Sequence, residues 1–116
     1  MIVGEEEPSR IGAFALEQGV QILGLKLGDR GCYVRSHSVE ATIPPFQVTV
    51  QDATGAGDCW VAGFLTGIIH GWDLTAVGQF ANAVGAQCVT RLGATTGIGT
   101  IAETHNFIRR TPTIAG

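Results

Sequence analysis

Asp52-Ala53-Thr54-Gly55-Ala56-Gly57-Asp58 decides how this sequence is read, because it runs straight into a strongly apolar segment, Cys59 to Ile69. Two glycines one residue apart let the backbone turn sharply and let a ligand approach with no Cβ in the way. The segment that follows reads as a helix. Trp60, Phe64 and Ile68 fall on one stripe, with Val61, Leu65 and Ile69 beside it. So wide an apolar face is the mark of a buried helix. A helix that starts here has unpaired N–H groups and partial positive charge at its first turn. A glycine loop at such a terminus is a ready anion site, and phosphate is the usual anion. Asp58 lies in that first turn, either as a cap or as a general base at the edge of the anion site.

Other glycine motifs are excluded. There is no Gly-x-x-x-x-Gly-Lys-Ser/Thr, so the loop is not a P-loop. The dinucleotide pattern Gly-x-Gly-x-x-Gly fails, because Trp60 stands where the third glycine belongs. No Gly-x-Ser-x-Gly exists, so there is no nucleophile elbow. His37, His70 and His105 share no ligand spacing with the cysteines, which argues against a zinc site. Trp60 and Trp72 read as packing residues.

Upstream, Pro8 to Gln18 reads as a helix, with Ser9 as its cap, Ile11, Phe14, Ala15 and Gln18 at helical spacing, and Gly19 as its stop. Val20 to Leu25 has the length of a buried strand. Gly28-Asp29-Arg30-Gly31 is a turn by composition, and Cys32 to Arg35 returns as the second strand of a hairpin. Val39 to Ile43 is a further strand, ended by Pro44-Pro45, and Val48 to Val50 continues extended. Downstream, Gly71 stops the apolar helix. Asp73 caps another, in which Leu74, Val77, Phe80, Ala81, Val84 and Cys88 recur at three- and four-residue steps. Its small residues Gly78, Ala81, Ala83, Gly85 and Ala86 would let another helix come close. Gly93 to Thr100 is a loop. Thr100 to Arg110 is a last helix, capped by Thr100 with Glu103 at the capping-box position. The tail Thr111 to Gly116 is expected to fray. This order predicts an α/β layered domain with a narrow sheet packed by helices and an exposed sheet edge.

The bulk numbers agree. The chain has 116 residues, enough for one domain with a real core, and only 15% are charged, too few for a disordered chain or a coiled coil. A net charge of −3 gives no nucleic-acid footprint. The acidic run Glu5-Glu6-Glu7 is read as a solvated patch. No apolar run is long enough to span a bilayer, and no secretion signal is visible. Three widely spaced cysteines suit buried thiols in a reducing compartment, so the expected location is cytoplasmic.

The residues Asp52 to Asp58 resemble the D-x-T-G-A-G-D signature of the ribokinase-like (PfkB) carbohydrate kinases. Lys26-Leu27-Gly28-x-x-Gly31 resembles that family's nucleotide-side strand-turn-strand. Phe80-Ala81-Asn82-Ala83 and Val89-Thr90-Arg91-Leu92-Gly93-Ala94 resemble its later helix and the loop after it. The likeness runs from about Glu5 to Arg110. It implies a ribokinase-like fold, C-terminal part only, and ATP-dependent phosphorylation of a sugar or sugar-like hydroxyl. It implies that Asp58 is the catalytic base and that the N–H groups of Gly55, Ala56 and Gly57 form the anion hole. Lys26, Gly28, Gly31 and Asn82 are implied on the nucleotide side, with Val48 at the adenine wall. Mg²⁺ accompanies ATP. Many members also hold a monovalent cation such as K⁺, and Asp52, Thr54, Val89, Leu92 and Gly93 occupy the matching places, mostly through main-chain oxygens.

Plainer roles stand beside these: a helix cap for Asp58, a snorkelling strand-end lysine for Lys26 and an ordinary polar helix residue for Asn82. Members of the family also carry an N-terminal part with most of the sheet, the sugar pocket and a lid. Residues 1–116 match only the C-terminal, nucleotide-binding portion. By that reading the chain alone phosphorylates a sugar poorly, because nothing in it holds the hydroxyl in line with the phosphate. The alternatives are a non-catalytic nucleotide- or phosphate-binding module, or an interaction domain that assembles as a homo-oligomer through its sheet edge.

Overall fold

The computed structural model describes residues 8–27, 30–48, 56–89 and 101–113. The elements run α1 (Pro8–Glu17), β1 (Leu23–Lys26), β2 (Cys32–Arg35), β3 (Glu40–Ile43), α2 (Ala56–His70), α3 (Leu74–Val89) and α4 (Ile101–Arg110). The strands form one antiparallel sheet in the order β1-β2-β3, with Lys26 opposite Cys32 and Cys32 opposite Ile43. Gly31 closes the hairpin with φ +89°, and a Cβ there would stand 1.9 Å from the Ile43 carbonyl oxygen. Only glycine satisfies both demands.

Three layers result. Gly12 of α1 lies against Tyr33 and Arg35 on one face of the sheet. On the other face Gly24 meets Trp60 and Phe64 of α2, while Gly78 of α3 meets Cys32, Val34 and Ile43. Strand side chains alternate between faces, so one hairpin serves both layers. Cys32, Val34, Ile43, Trp60, Leu74, Val77 and Ala81 make the core between sheet and helices. A second cluster, Cys59, Phe80, Val84 and Cys88, lies between α2 and α3. Outside α3, α4 adds Phe107 to Phe46 and Ala83, and Thr104 donates a buried hydrogen bond to Gln87 Oε1 at 2.9 Å.

The helix ends follow their sequence signals. Gly71, at φ +72°, closes α2: its N–H reaches Ile68 O at 3.1 Å, and that of Trp72 reaches Gly67 O at 3.2 Å. This pairing satisfies the last carbonyls of the helix. Asp73 Oδ2 accepts from Thr75 N at 3.2 Å and caps α3. Thr100, the expected cap of α4, lies outside the described residues.

Three expectations are corrected and two are refined. Ser9 is not a cap, because Pro8 already begins α1, the place where a missing N–H costs least. The first strand starts at Leu23, and Val20 and Ile22 are exposed, since an apolar run does not by itself say where pairing starts. Of the α1 residues at helical spacing, Ile11 and Ala15 are half-buried beside Gly12, on which the helix leans, whereas Phe14 is 60% exposed. Among the small residues of α3, Ala81 meets Gly63 of α2 and Ala83 lies against Phe107 of α4, while Gly78 admits the sheet; on the α2 side Gly63 and Gly67 make the room. The tail is held as far as Thr113, which bridges to Phe46, while Gln47 N donates to Pro112 O at 2.8 Å. No helix among the described residues is long and apolar enough to cross a membrane.

Candidate functional site

Helix α2 begins at Ala56, inside the glycine stretch, so its first turn carries Gly57 and the exposed carboxylate of Asp58. Among the described residues, a Cβ on Gly57 would meet nothing within 4 Å. One residue further the chain turns inward. Cys59 is buried in the same cluster as Cys88 near the end of α3, and its thiol is pushed up to about 12. Burial is the main cause; the Cys88 thiol and the Asp58 carboxylate add to it.

The contacts Cys59–Cys88, Gly63–Val84 and Gly67–Val77 show that α2 and α3 run antiparallel. The N-terminus of α2 therefore lies beside the C-terminus of α3, where Val89 ends the helix. Residues 56–58 and 89, the described parts of the two stretches singled out in the sequence, thus lie at neighbouring helix ends. One helix end offers donors and the other carbonyls, which suits an anion next to a cation.

On the nucleotide side two of the predicted residues also converge. Asn82 is buried; it accepts from Trp60 Nε1 at 2.9 Å through Oδ1. Its Nδ2 donates to Ile43 O at 3.3 Å and to Pro44 O at 3.1 Å. Gly31 approaches the same Ile43 carbonyl from the hairpin. Lys26 pairs with Cys32 next to Gly31, and its side chain is exposed. Val48 packs against the Phe46, Ala83 and Phe107 cluster, next in sequence to Asn82. Gly31 and Asn82 therefore meet at the Ile43 carbonyl, and Asn82 ties this point to the start of α2 through Trp60. The amide of Asn82 is engaged within the chain at both ends, so it braces α2, α3 and the end of β3.

Gly28, Asp52, Thr54, Gly55, Leu92 and Gly93 lie outside the described residues, as do the side chains of Ala56 and Val89. The Trp60–Asn82 bond and the Cys59–Cys88 contact escaped the sequence reading, because both pair residues that are far apart in the chain.

The model of the pfkB family carbohydrate kinases matches residues 2–101. The chain belongs to this family. An uncharacterized sugar kinase of Archaeoglobus fulgidus is 40% identical over 83 residues, covering 72% of this chain and 33% of that protein. The 2-dehydro-3-deoxygluconokinase of Bacillus subtilis is 30% identical over 115 residues, covering 98% of this chain and 36% of that one. An E. coli protein described as a ribokinase II, crystallised with ATP and Mg²⁺, superposes with a TM-score of 0.82 at 34% identity. That match covers 90% of this PfkB chain and 34% of the E. coli chain. The fold is thus ribokinase-like, and the chain spans about a third of the length of the curated relatives it matches.

Proposed function

We propose that this PfkB chain is the nucleotide-side, base-carrying portion of an ATP-dependent sugar kinase. The observation that carries the reading is Asp58: an exposed carboxylate in the first turn of a 15-residue helix, directly after the family's glycine stretch in the sequence. In this role Asp58 accepts the proton of a sugar hydroxyl while that oxygen attacks the γ-phosphorus of ATP and ADP leaves. The N–H groups of Gly55, Ala56 and Gly57 take up charge that grows on the transferred phosphoryl oxygens, where fixed dipoles need no reorganisation.

Lys26, Gly28, Gly31 and Val48 receive the nucleotide, and Asn82 holds the floor beneath them. Mg²⁺ comes with ATP and screens its phosphates. Main-chain oxygens at Asp52, Thr54, Val89, Leu92 and Gly93 would hold a monovalent cation, and the carbonyl-rich end of α3 beside the anion-binding end of α2 fits that use. The three free cysteines suit a cytoplasmic enzyme.

The test has two stages. Trp60 in a Trp72→Phe background reports on Mg-ATP binding. Saturable binding that Gly57→Val abolishes, with an unchanged melting curve, is the expected result. No response at millimolar ATP would mean that the chain does not form the nucleotide site. In an enzyme completed to the whole fold, Asp58→Asn should lower kcat by about 10²–10⁴-fold and leave ATP affinity within a few-fold. A variant that kept most of its kcat would remove Asp58 from the chemistry. The chain's span, a third of its relatives, favours one competing reading: nucleotide binding without catalysis. ATP binding with no product from any sugar in that completed enzyme would select it.

A further inference from the structure

The fold brings together two thiols for which the proposed phosphoryl transfer has no use. Cys59 stands in the first turn of α2, and Cys88 is the last residue but one of α3. Both are free, 3% and 1% exposed, and they share a cluster with Phe80 and Val84. The two thiols are joined by a hydrogen bond. The helix pair makes this meeting a tight one. Cys59, Gly63 and Gly67 stand four apart on one row of α2, and Cys88, Val84, Ala81 and Val77 form the row of α3 that faces it. A Cβ on Gly63 would come within 3.0 Å of the Ala81 Cα, so the two backbones run close. A disulfide needs Cα atoms within about 7 Å of each other, and facing positions one turn beyond such a contact meet that need. The third thiol is engaged elsewhere: Cys32 donates to the Gly78 carbonyl at 3.7 Å in the core between sheet and helices.

We infer that Cys59 and Cys88 form a modification site, a dithiol that closes to a disulfide under hydrogen peroxide. The Cys59 sulfur gives up its proton and attacks one oxygen of the peroxide. An S–O bond forms, the O–O bond breaks, and the departing hydroxide takes the proton as water. The Cys88 sulfur then attacks the Cys59 sulfenic acid; the S–S bond forms, the S–O bond breaks, and a second water leaves with the Cys88 proton. Two thiols are oxidised and one peroxide is reduced to two waters. Both cysteines lie in terminal turns, and helix ends open locally at small free-energy cost, which admits so small an oxidant. While the ends are closed, burial keeps the thiols protonated and slow. The bridge ties the first turn of α2, which carries Asp58, to the last turn of α3 and draws the two together. A displacement of about 1 Å at a reacting group costs about 10²-fold in rate. Formation of the bridge follows from the helix pair alone; its effect on turnover rests on the proposed role of Asp58.

The whole chain is treated with hydrogen peroxide, alkylated without reduction and digested. Peptide mapping should find Cys59 joined to Cys88 and Cys32 alkylated. The oxidised monomer should melt about 5 °C or more above the reduced one, because the bridge closes a long loop in the unfolded chain. Dithiothreitol should return it to the starting value. Cys32→Ala should form the bridge as wild type does, and Cys88→Ala should show no rise. Cys59 and Cys88 both found alkylated after the treatment, a bridge to Cys32 or between two chains, or a bridge that lowers the melting temperature would overturn the inference. In the enzyme completed to the whole fold, oxidation should lower kcat at least tenfold, dithiothreitol should restore it, and Cys88→Ala should not respond. A kcat unchanged with the bridge in place would overturn the effect on turnover. A mapped bridge in a completed enzyme that is inactive both reduced and oxidised would count against the proposed function and leave the dithiol standing.

Discussion

Asn82 shows how much of a side chain's structural role only the folded chain states. Its amide donates to the Ile43 and Pro44 carbonyls and accepts from the Trp60 indole, so one residue joins β3, α3 and α2. A buried donor or acceptor left unpaired costs about 1–3 kcal/mol. Asn82→Ala strands the Trp60 N–H and loosens the end of β3, so a loss of about 2–3 kcal/mol is expected. For a domain of this size that lowers Tm by roughly 8–12 °C, which thermal unfolding followed by circular dichroism would detect. A shift under about 1 °C would show that the bonds contribute nothing. Position 82 stands off the apolar stripe of Leu74, Val77, Phe80, Ala81, Val84 and Cys88, so its burial does not follow from periodicity. The identity of its three partners does not follow from spacing, because they come from 22 to 39 residues away.

At the scale of the elements, the α2–α3 pair determines where Asp58 stands. The two helices approach closely because Gly63 and Gly67 leave room for Ala81, Val84 and Val77. A Cβ on Gly67 would come within 2.8 Å of Val77 Cγ2. Alanine is the better helix former by about 1 kcal/mol, but overpacking a tight contact costs about 1–3 kcal/mol. Gly67→Ala should therefore lower stability by about 1 kcal/mol net, against its helix propensity. In a Val77→Ala background the same substitution should become neutral or stabilising. Urea unfolding of the double-mutant cycle measures this coupling, and a coupling below about 0.5 kcal/mol would exclude the contact as the reason for the glycine. Helix existence and stop signals were legible in the sequence, since apolar period and Gly71 are local. Which small residues served which contact was not, because a glycine's neighbour is chosen by packing.

At the scale of the whole molecule, burial of ionisable groups gives the fold a predictable alkaline limit. Cys32 and Cys59 are pushed from 9.0 up to about 12, and Tyr33 from 10.0 up to about 12, in each case chiefly by burial. The unfolded chain gives up these protons at lower pH than the folded one. The stability they contribute is whole below about pH 9 and drains away as pH rises toward 12. Urea midpoints at pH 8, 10 and 11 should fall in that order, and Cys59→Ala should shallow the decline. A flat profile would mean that these groups are not dry in the native state.

The same contrast of local and global physics separates what was readable from what was not. The sequence by itself determined the helices, the hairpin, the family and the placing of Asp58 in a helix's first turn, because periodicity, turn chemistry and a contiguous motif act over a few residues. Only the tertiary structure decided that α1 rests on Gly12, that Pro112 and Thr113 dock against Gln47 and Phe46, and that Asn82 is a brace. It alone left Val61, Leu65 and Ile69 open on a helix whose composition asks for burial on every side. Hydrophobicity states that a side chain seeks cover, and the packed chain states whether it has found any.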